Sequence, residues 1–375
     1  RDAFLPARRA ALAFRSRMPL AEAAWQAGLA LGALGIPARW LGVEALDLHH
    51  VAALRDAGPL DGLLGARAGV VPMPGLAPGR PISPSALQRL LECPHRFLLE
   101  YLLGFREPAE APRQREIGQP AYGSLFHLVA ERFYRALGHR FAACEWSLET
   151  WLAEGDAIVE RAFAEFLEQY PLVGGAVRSR ERERLRQDLR DLLEHEWSRG
   201  GRRFVAVERP FGQPEPVELA LGGHSLIVRG QIDQIEVEGE RVVVRDLKTG
   251  RAHPRLGKEA TPDPVLDVQI AVYGLVAARL ADEWRTPGRV GAAYVYVGRG
   301  PDEREWDRDF HEALEPAARD WLTTAAALLA ERAFPRTPRP DDCEYCPFQP
   351  VCGEGVYERA AGVLAAGAGA LERFR

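Results

Sequence analysis

Residues 230–250 read GQIDQIEVEGERVVVRDLKTG, two β-branched runs separated by Glu238-Gly239-Glu240. Short runs of this kind on either side of a glycine turn describe a β-hairpin. With Gly239 and Glu240 as the loop, the strands pair so that Asp233 stands opposite Asp246. Side chains on one rung have Cβ atoms roughly 4.5–5.5 Å apart, and two carboxylates there repel unless a cation lies between them. The strand period of two sends Lys248 to the face that carries Asp246. Any other loop length breaks this pairing, because a one-residue slip sends one carboxylate to the other face. A solvated hairpin with two surface acids is the alternative.

Lysine usage sharpens the reading. Of the 48 lysine and arginine residues, only Lys248 and Lys258 are lysines. Where a positive charge alone suffices this chain uses Arg, so a surviving Lys is either chance or a compact ammonium doing what a guanidinium cannot. Hard carboxylate oxygens beside an open position suit Mg²⁺ or Mn²⁺ better than zinc, and Lys248 could then position or help deprotonate an attacking water.

The surroundings of the hairpin set the fold class, α/β. FVAVERPF and SLIVRGQIDQIEV lead into RVVVRDLKTG and predict a meander of antiparallel strands from Arg203 onward. Upstream, Ser83-Pro84 is a helix start, ending near Cys93, and Pro94 opens a second helix. Helical spacing returns over 122–136, 157–170 and 180–199, and downstream over 267–281 and 312–333, with VGAAYVYVG as a buried strand between those two. The order describes a nuclease-like core among several other folds. VPMPGLAPGRPISP, with five prolines, reads as a linker over 72–82. It separates a helical segment, 1–71, from a second domain, 83–355, and residues 356–375 read as a helical tail.

Composition bounds the rest. The 375 residues are 47% hydrophobic and 27% charged, which excludes disorder and fibrous classes and allows two or three domains. A net charge of −5 gives no whole-chain pull on nucleic acid or anionic membrane, so any polyanion site is local. The longest apolar run, 27–36, is short and broken by glycines, which argues against a membrane protein. The sequence opens on Arg1 with no secretory signal, so we read it as a piece of a longer cytoplasmic chain.

Further residues extend the hairpin site. His127, one turn after Gly123 in AYGSLFHLVAERFY, can add a nitrogen ligand, although a lone His among apolar residues is more often a satisfied semi-buried one. Gln269 and Tyr273 share a helix face and could hold a phosphate. Glu208 could support the metal ligands, but a salt bridge at a sheet edge is the simpler reading. The run Arg178–Arg203 alternates arginines with acids, as a solvated helix does. Arg229, Arg251, Arg255 and Lys258 are the candidate phosphate contacts.

The cysteines carry a more specific signal. Cys343, Cys346 and Cys352 form C-x2-C-x5-C in DDCEYCPFQPVCG, with no second CxxC nearby, and Cys93 in LLECPHRF is the natural fourth ligand. Four thiolates suit zinc or a [4Fe-4S] cluster, and spacing alone does not separate them. Either would clasp the helix bearing Cys93 to the C-terminal tail. Cys144 is left over and reads as a buried apolar thiol.

Taken in order, CPHRF with Cys93, GSLFH ending at His127, GQID with Asp233, DLKTG with Asp246 and Lys248, QIAVY with Gln269 and Tyr273, and the cysteine tail resemble the RecB-like branch of the PD-(D/E)XK nuclease superfamily. Within that branch the resemblance is to members with an iron-sulfur clasp, closest to the C-terminal nuclease domain of AddB-type helicase-nuclease subunits. It implies a restriction-endonuclease-like core, a mixed sheet flanked by helices, with large helical insertions and residues 1–71 ending a helicase-like region. It implies Mg²⁺-dependent hydrolysis of DNA at ends in break repair and recombination, with a helicase partner. His127, Asp233, Asp246 and the Leu247 carbonyl would surround the metal, Lys248 would serve the water, and Cys93, Cys343, Cys346 and Cys352 would hold a [4Fe-4S] cluster. Many relatives carry Arg and then Asp where this chain has Gln234 and Glu236, which touches a supporting salt bridge and not the metal ligands. The competing readings are a catalytically silent iron-sulfur DNA-binding scaffold and a zinc-stabilised regulator.

Overall fold

The computed structural model describes residues 61–65, 72–105, 115–253, 257, 260–297, 302–306, 310–352 and 356–374. The segment expected as helical over 1–71 therefore lies, apart from 61–65, outside the described residues, as do Arg255 and Lys258.

Ser83 caps α1 (Pro84–Glu92): its Oγ accepts from Ala86 N at 3.2 Å, and Pro84 fills a position where no N–H is required. α1 stops at Cys93, whose backbone is extended, and Pro94 opens α2 (Pro94–Phe97). Three long helices follow, α3 (Gln119–Ala142), α4 (Leu148–Gln169) and α5 (Gly175–Arg199). The strands are β1 (Arg202–Phe211), β2 (Val217–Leu221), β3 (His224–Val228), β4 (Gly230–Glu238) and β5 (Arg241–Lys248). After them come α6 (Val268–Arg279), α7 (Ala281–Trp284), β6 (Arg289–Tyr296), β7 (Asp302–Glu305), α8 (Glu315–Glu331), α9 (Gln349–Cys352), α10 (Val356–Ala366) and α11 (Ala370–Phe374).

The main sheet is mixed, in the order β1-β4-β5-β6-β7, and β5 and β6 run parallel while the other neighbours are antiparallel. The expected meander is corrected here. SLIVRGQIDQIEV is not one strand: it breaks at Arg229, β3 pairs with β2 in a separate two-stranded sheet, and β4 crosses back to β1. Leu226, Ile227 and Val228 are buried, and Val228 bridges to Ile82 within the first unit.

The described residues group into two compact units. The first takes residues up to 109 with 218–228 and 319–375; the second takes 110–217 and 229–318. Residues 72–82 are packed within the first unit: Ile82 N donates to Ile227 O and Ile227 N to Gly75 O, both at 2.8 Å, and Met73 and Ile82 are buried.

In the second unit α3, α4 and α5 lie on one face of the sheet, joined by Phe126, Val129, Phe133, Trp151, Leu189 and Leu193 to Phe204, Leu247 and Val295. α6 is apolar almost all round and covers the neighbourhood of β5 and β6. It needs Gly274, because a Cβ there would fall 2.1 Å from the Phe310 ring. The arginine-rich α5 is laced with ion pairs as expected, Arg182 and Arg186 to Glu160 and Arg190 to Asp156. Its last turn departs from that expectation, because Glu196 is fully buried. Cys144 is corrected as well: it is exposed, with φ +52° just past the end of α3, where the turn directs its side chain to solvent. Among the described residues no helix is long and apolar enough to cross a membrane.

Candidate active site

The hairpin register is the one read from the two-residue loop. Glu238 pairs with Arg241 and Gln234 with Arg245, so the rung beyond joins Asp233 to Asp246. Gly239 supplies the turn with φ +58°. Asp233 reaches across the rung, and its Oδ2 accepts from Leu247 N at 2.7 Å. Strand alternation then gives the hairpin two chemically different faces.

On the face with Asp246, Lys248 Nζ stands 2.5 Å from Asp246 Oδ2 and donates to Gln269 Oε1 at 3.1 Å. Gln269 Nε2 donates to Asp246 Oδ1 at 2.7 Å and to the Tyr273 oxygen at 3.0 Å, so the i,i+4 pair on α6 does converge on this carboxylate. Lys248 also lies 5.5 Å from the Tyr294 ring centroid. Asp246 is almost wholly buried, and its Oδ2 has no well-directed hydrogen bond.

His127, on α3, approaches the same strand ends from the opposite face of the sheet. Its Nε2 is 3.0 Å from Leu247 O, and its Nδ1 is 3.3 Å from Glu208 Oε1 and 3.7 Å from Asp233 Oδ2. Both ring nitrogens therefore face acceptors, which requires a proton on each. Burial pulls the imidazole pKa down, but the Glu208 hydrogen bond and the Asp233, Glu208 and Asp246 charges outweigh it and raise the value to about 9. Asp233 is pushed well above the ordinary carboxylate range by burial and by the Asp246 charge, with His127 pulling the other way. Burial first, then the same two carboxylates, raise the Tyr273 phenol.

Glu208 is the residue whose role the sequence understated. It sits between the Val207–Gln234 and Arg209–Ile232 pairs, across from Asp233, and Gln231 Nε2 donates to its Oε2. Its φ of +48° is a left-handed conformation that non-glycine residues adopt at a cost, and the register of β1 shifts nearby, between Phe204 and Ala206. His127, Glu208 and Asp233 each offer a ligand atom within 4.8 Å of the others, forming a group able to hold a metal ion. Asp246 shares the rung of Asp233 and is turned to Lys248 and Gln269. An open groove along Gly123, Ser124, His127, Leu128, Glu131 and Glu208 leads to the group. Arg229 and Arg251 are exposed.

The other face of the hairpin is also charged. Arg245, with no exposed side chain, donates to Glu196 of α5 and stands 3.6 Å from Glu236. Arg202 joins Glu196 at 2.6 Å and Glu236 at 3.3 Å, and Gln234 Nε2 donates to Glu236 at 2.8 Å. The supporting salt bridge that Gln234 and Glu236 put in question is thus made, with its arginines coming from β1 and β5.

In the first unit, Cys93, Cys343, Cys346 and Cys352 line one cavity, with His95, Arg96, Arg336 and Thr337 among its walls. All four thiols are free. The backbone N–H groups of Arg96 and Thr337 are directed at Cys93 sulfur and that of Phe348 at Cys346 sulfur, the arrangement a bound thiolate takes. Burial pushes the Cys93 thiol up to about 12 and raises Cys343 and Cys346. Buried thiolates need a cationic centre, so the donor set fits a metal or cluster.

The chain is 29% identical over 255 residues to a subunit of an ATP-dependent helicase/deoxyribonuclease from Moorella thermoacetica, an alignment covering 63% of this chain and 20% of that protein. It therefore spans about a fifth of that relative's length. A structural alignment with the crystal structure of SSO0001 has a TM-score of 0.23 and 16% identity, over 71% of this chain and 94% of that one. Residues 81–353, which contain both the hairpin site and the four cysteines, match the PD-(D/E)XK nuclease superfamily, and the chain belongs to it.

Proposed function

We propose that this chain is a divalent-metal-dependent deoxyribonuclease domain that hydrolyses phosphodiester bonds at DNA ends as part of a cytoplasmic helicase-nuclease acting in recombinational repair. The observation that carries this reading is the cluster of three carboxylates, Glu208, Asp233 and Asp246, which among the described residues is approached by Lys248 and His127.

Asp233, Glu208, Asp246, the Leu247 carbonyl and His127, the last only after giving up a ring proton, would hold a Mg²⁺ or Mn²⁺ ion, whose contribution when bound is Lewis-acid charge at the scissile phosphate and a more acidic water. The remaining roles belong to the chain. Gln269 ties Asp246 to α6 and fixes Lys248, so that the ammonium is presented at a defined place and not on a free stem. There it orients the attacking water and offsets charge gathering on the phosphate. Tyr273 holds Gln269 in turn. Arg229 and Arg251, with Arg255 and Lys258, would engage neighbouring phosphates.

The four cysteines hold a [4Fe-4S] cluster in this reading. Zinc is the alternative occupant, and the metal content of the protein distinguishes the two.

Cleavage of end-labelled linear DNA with and without Mg²⁺ tests the function, comparing the wild-type chain with Asp246→Ala at equal iron content. Metal-dependent cutting that the variant loses is the expected result. A folded, iron-loaded chain that binds DNA and never cuts it, even with its helicase partner added, would replace this reading with the silent scaffold.

A further inference from the structure

Two guanidinium groups line the four-cysteine cavity, and their situations differ. Arg96 donates through Nε to Glu100 at 2.8 Å and lies 3.9 Å from Glu92, so carboxylates already match its charge. Arg336 Nη1 is 3.8 Å from Asp61 Oδ1, beyond hydrogen-bonding distance. Both arms of Arg359 hold that carboxylate, at 2.9 and 2.8 Å. Arg336 Nε is buried, with no hydrogen-bond partner among the described residues. A buried charged donor without an acceptor is costly; Arg182, Arg186 and Arg304 also bury a guanidinium nitrogen in this state, and what sets Arg336 apart is that it lines the cavity of the four cysteines.

The walls say what that acceptor is. The four cysteines and Arg336 share the walls of one cavity. Four thiolates around an iron-sulfide core make a net anion with soft, hydrogen-bond-accepting sulfur on its surface.

We propose that Arg336 is the hydrogen-bond donor and counter-charge of the cluster, its Nε–H donating to a cluster or cysteine sulfur. The inference rests on the iron-sulfur reading above. Its physical content is electrostatic: a fixed cation beside a redox centre favours the form carrying the extra electron, and so raises the reduction potential and slows loss of the anionic cluster. Arginine suits the place because its charge does not titrate and its donors are rigidly planar.

The test uses the full chain, purified anaerobically, as wild type, Arg336→Gln, Arg336→Lys and Arg359→Gln. Iron and sulfide per chain, the midpoint potential from a redox titration followed by electron paramagnetic resonance, and the rate of cluster loss to a chelator are read for each. Arg336→Gln is expected to have a lower potential and a several-fold faster loss. Arg336→Lys should recover most of the potential and less of the retention. Arg359→Gln, which removes a guanidinium from the same carboxylate but not from the cavity, should match wild type in potential. If Arg336→Gln does not fold, the Lys variant decides, since a wild-type potential together with a wild-type rate of loss would overturn the assignment. Equal values in wild type and Arg336→Gln would overturn it too. Wild-type protein that binds one zinc and no iron-sulfur cluster would instead overturn the cluster reading beneath it, and the two failures are distinguishable by metal content alone.

Discussion

The two faces of the β4–β5 hairpin are both charged, and they differ in bookkeeping. On one, Glu196 and Glu236 meet Arg199, Arg202 and Arg245, so cations match the buried acids. The Arg245, Arg202 and Arg199 charges overcome burial and hold Glu196 below the ordinary range, whereas burial and the Glu196 charge raise Glu236 to about 7 against the same arginines. On the other stand Asp246 and Lys248; at the strand ends Asp233 and Glu208 join them with His127, which comes from across the sheet, and one carboxyl is driven well above its usual range. The chain uses arginine where charge is structural and one of its two lysines where the carboxylates stay undercompensated. A buried charge set that does not balance itself is the mark of a site waiting for a ligand.

Removing one acid from the unbalanced face separates activity from stability most widely. Asp233→Asn keeps an oxygen to accept from Leu247 N but withdraws a metal ligand, so DNA cleavage should fall on the order of a thousandfold. In the presence of a chelator the same variant should melt higher than wild type, because a repelling buried charge is gone. Cleavage assays and thermal melts check the two halves, and a lower melting temperature would show that the carboxylates are balanced after all.

The matched face should respond in the opposite sense. Arg245→Met leaves Glu196 and Glu236 buried with one cation fewer and should cost about 3–5 kcal/mol in urea unfolding. If the loss is below about 1 kcal/mol, water or relaxation supplies the missing charge, and the contrast between the faces fails.

A smaller effect sits where α6 begins. Burial raises Asp267 to about 6, with the Asp263 N–H and Arg304 pulling it back. Its unfolded value is near 3.8, so between these values the folded chain holds a proton that the unfolded chain has released. Stability from this group therefore falls as pH rises from about 4 to about 6 and is level above that. Melting temperatures of Asp267→Asn against wild type across this window should show a flatter profile for the variant.

What the sequence disclosed follows the range of each interaction. The Asp233–Asp246 rung was legible because a two-residue loop fixes it locally, and the order of helices and strands followed from periodicity and capping at Ser83 and Pro84. Glu208 was legible as an acid that could support the metal ligands, with a salt bridge at a sheet edge as the simpler reading. Its place depends on β1 pairing with β4 across the β2–β3 hairpin, on a register shift near Ala206, and on a left-handed backbone, none of which periodicity encodes. The end of α5 was misjudged for the same reason, since Glu196 is paired by Arg245, which lies 49 residues further on. The four cysteines were readable as a set because a tight C-x2-C-x5-C cluster lacks one ligand, yet Arg336 carried no local signal.

The outer part of α5 offers the mildest and cleanest control on this contrast. Arg186 makes ion pairs with Asp156, Glu160 and Glu183. Its partners are a quarter to more than half exposed, so water already solvates them and returns when the guanidinium is removed. Arg186→Gln should therefore change unfolding stability by about 1 kcal/mol or less and leave cleavage unaltered, with added salt shrinking even that difference. The same residue type on the same kind of partner is then worth several-fold less for being wet. A cost for Arg186→Gln equal to that of Arg245→Met would mean that burial does not decide what each ion pair contributes.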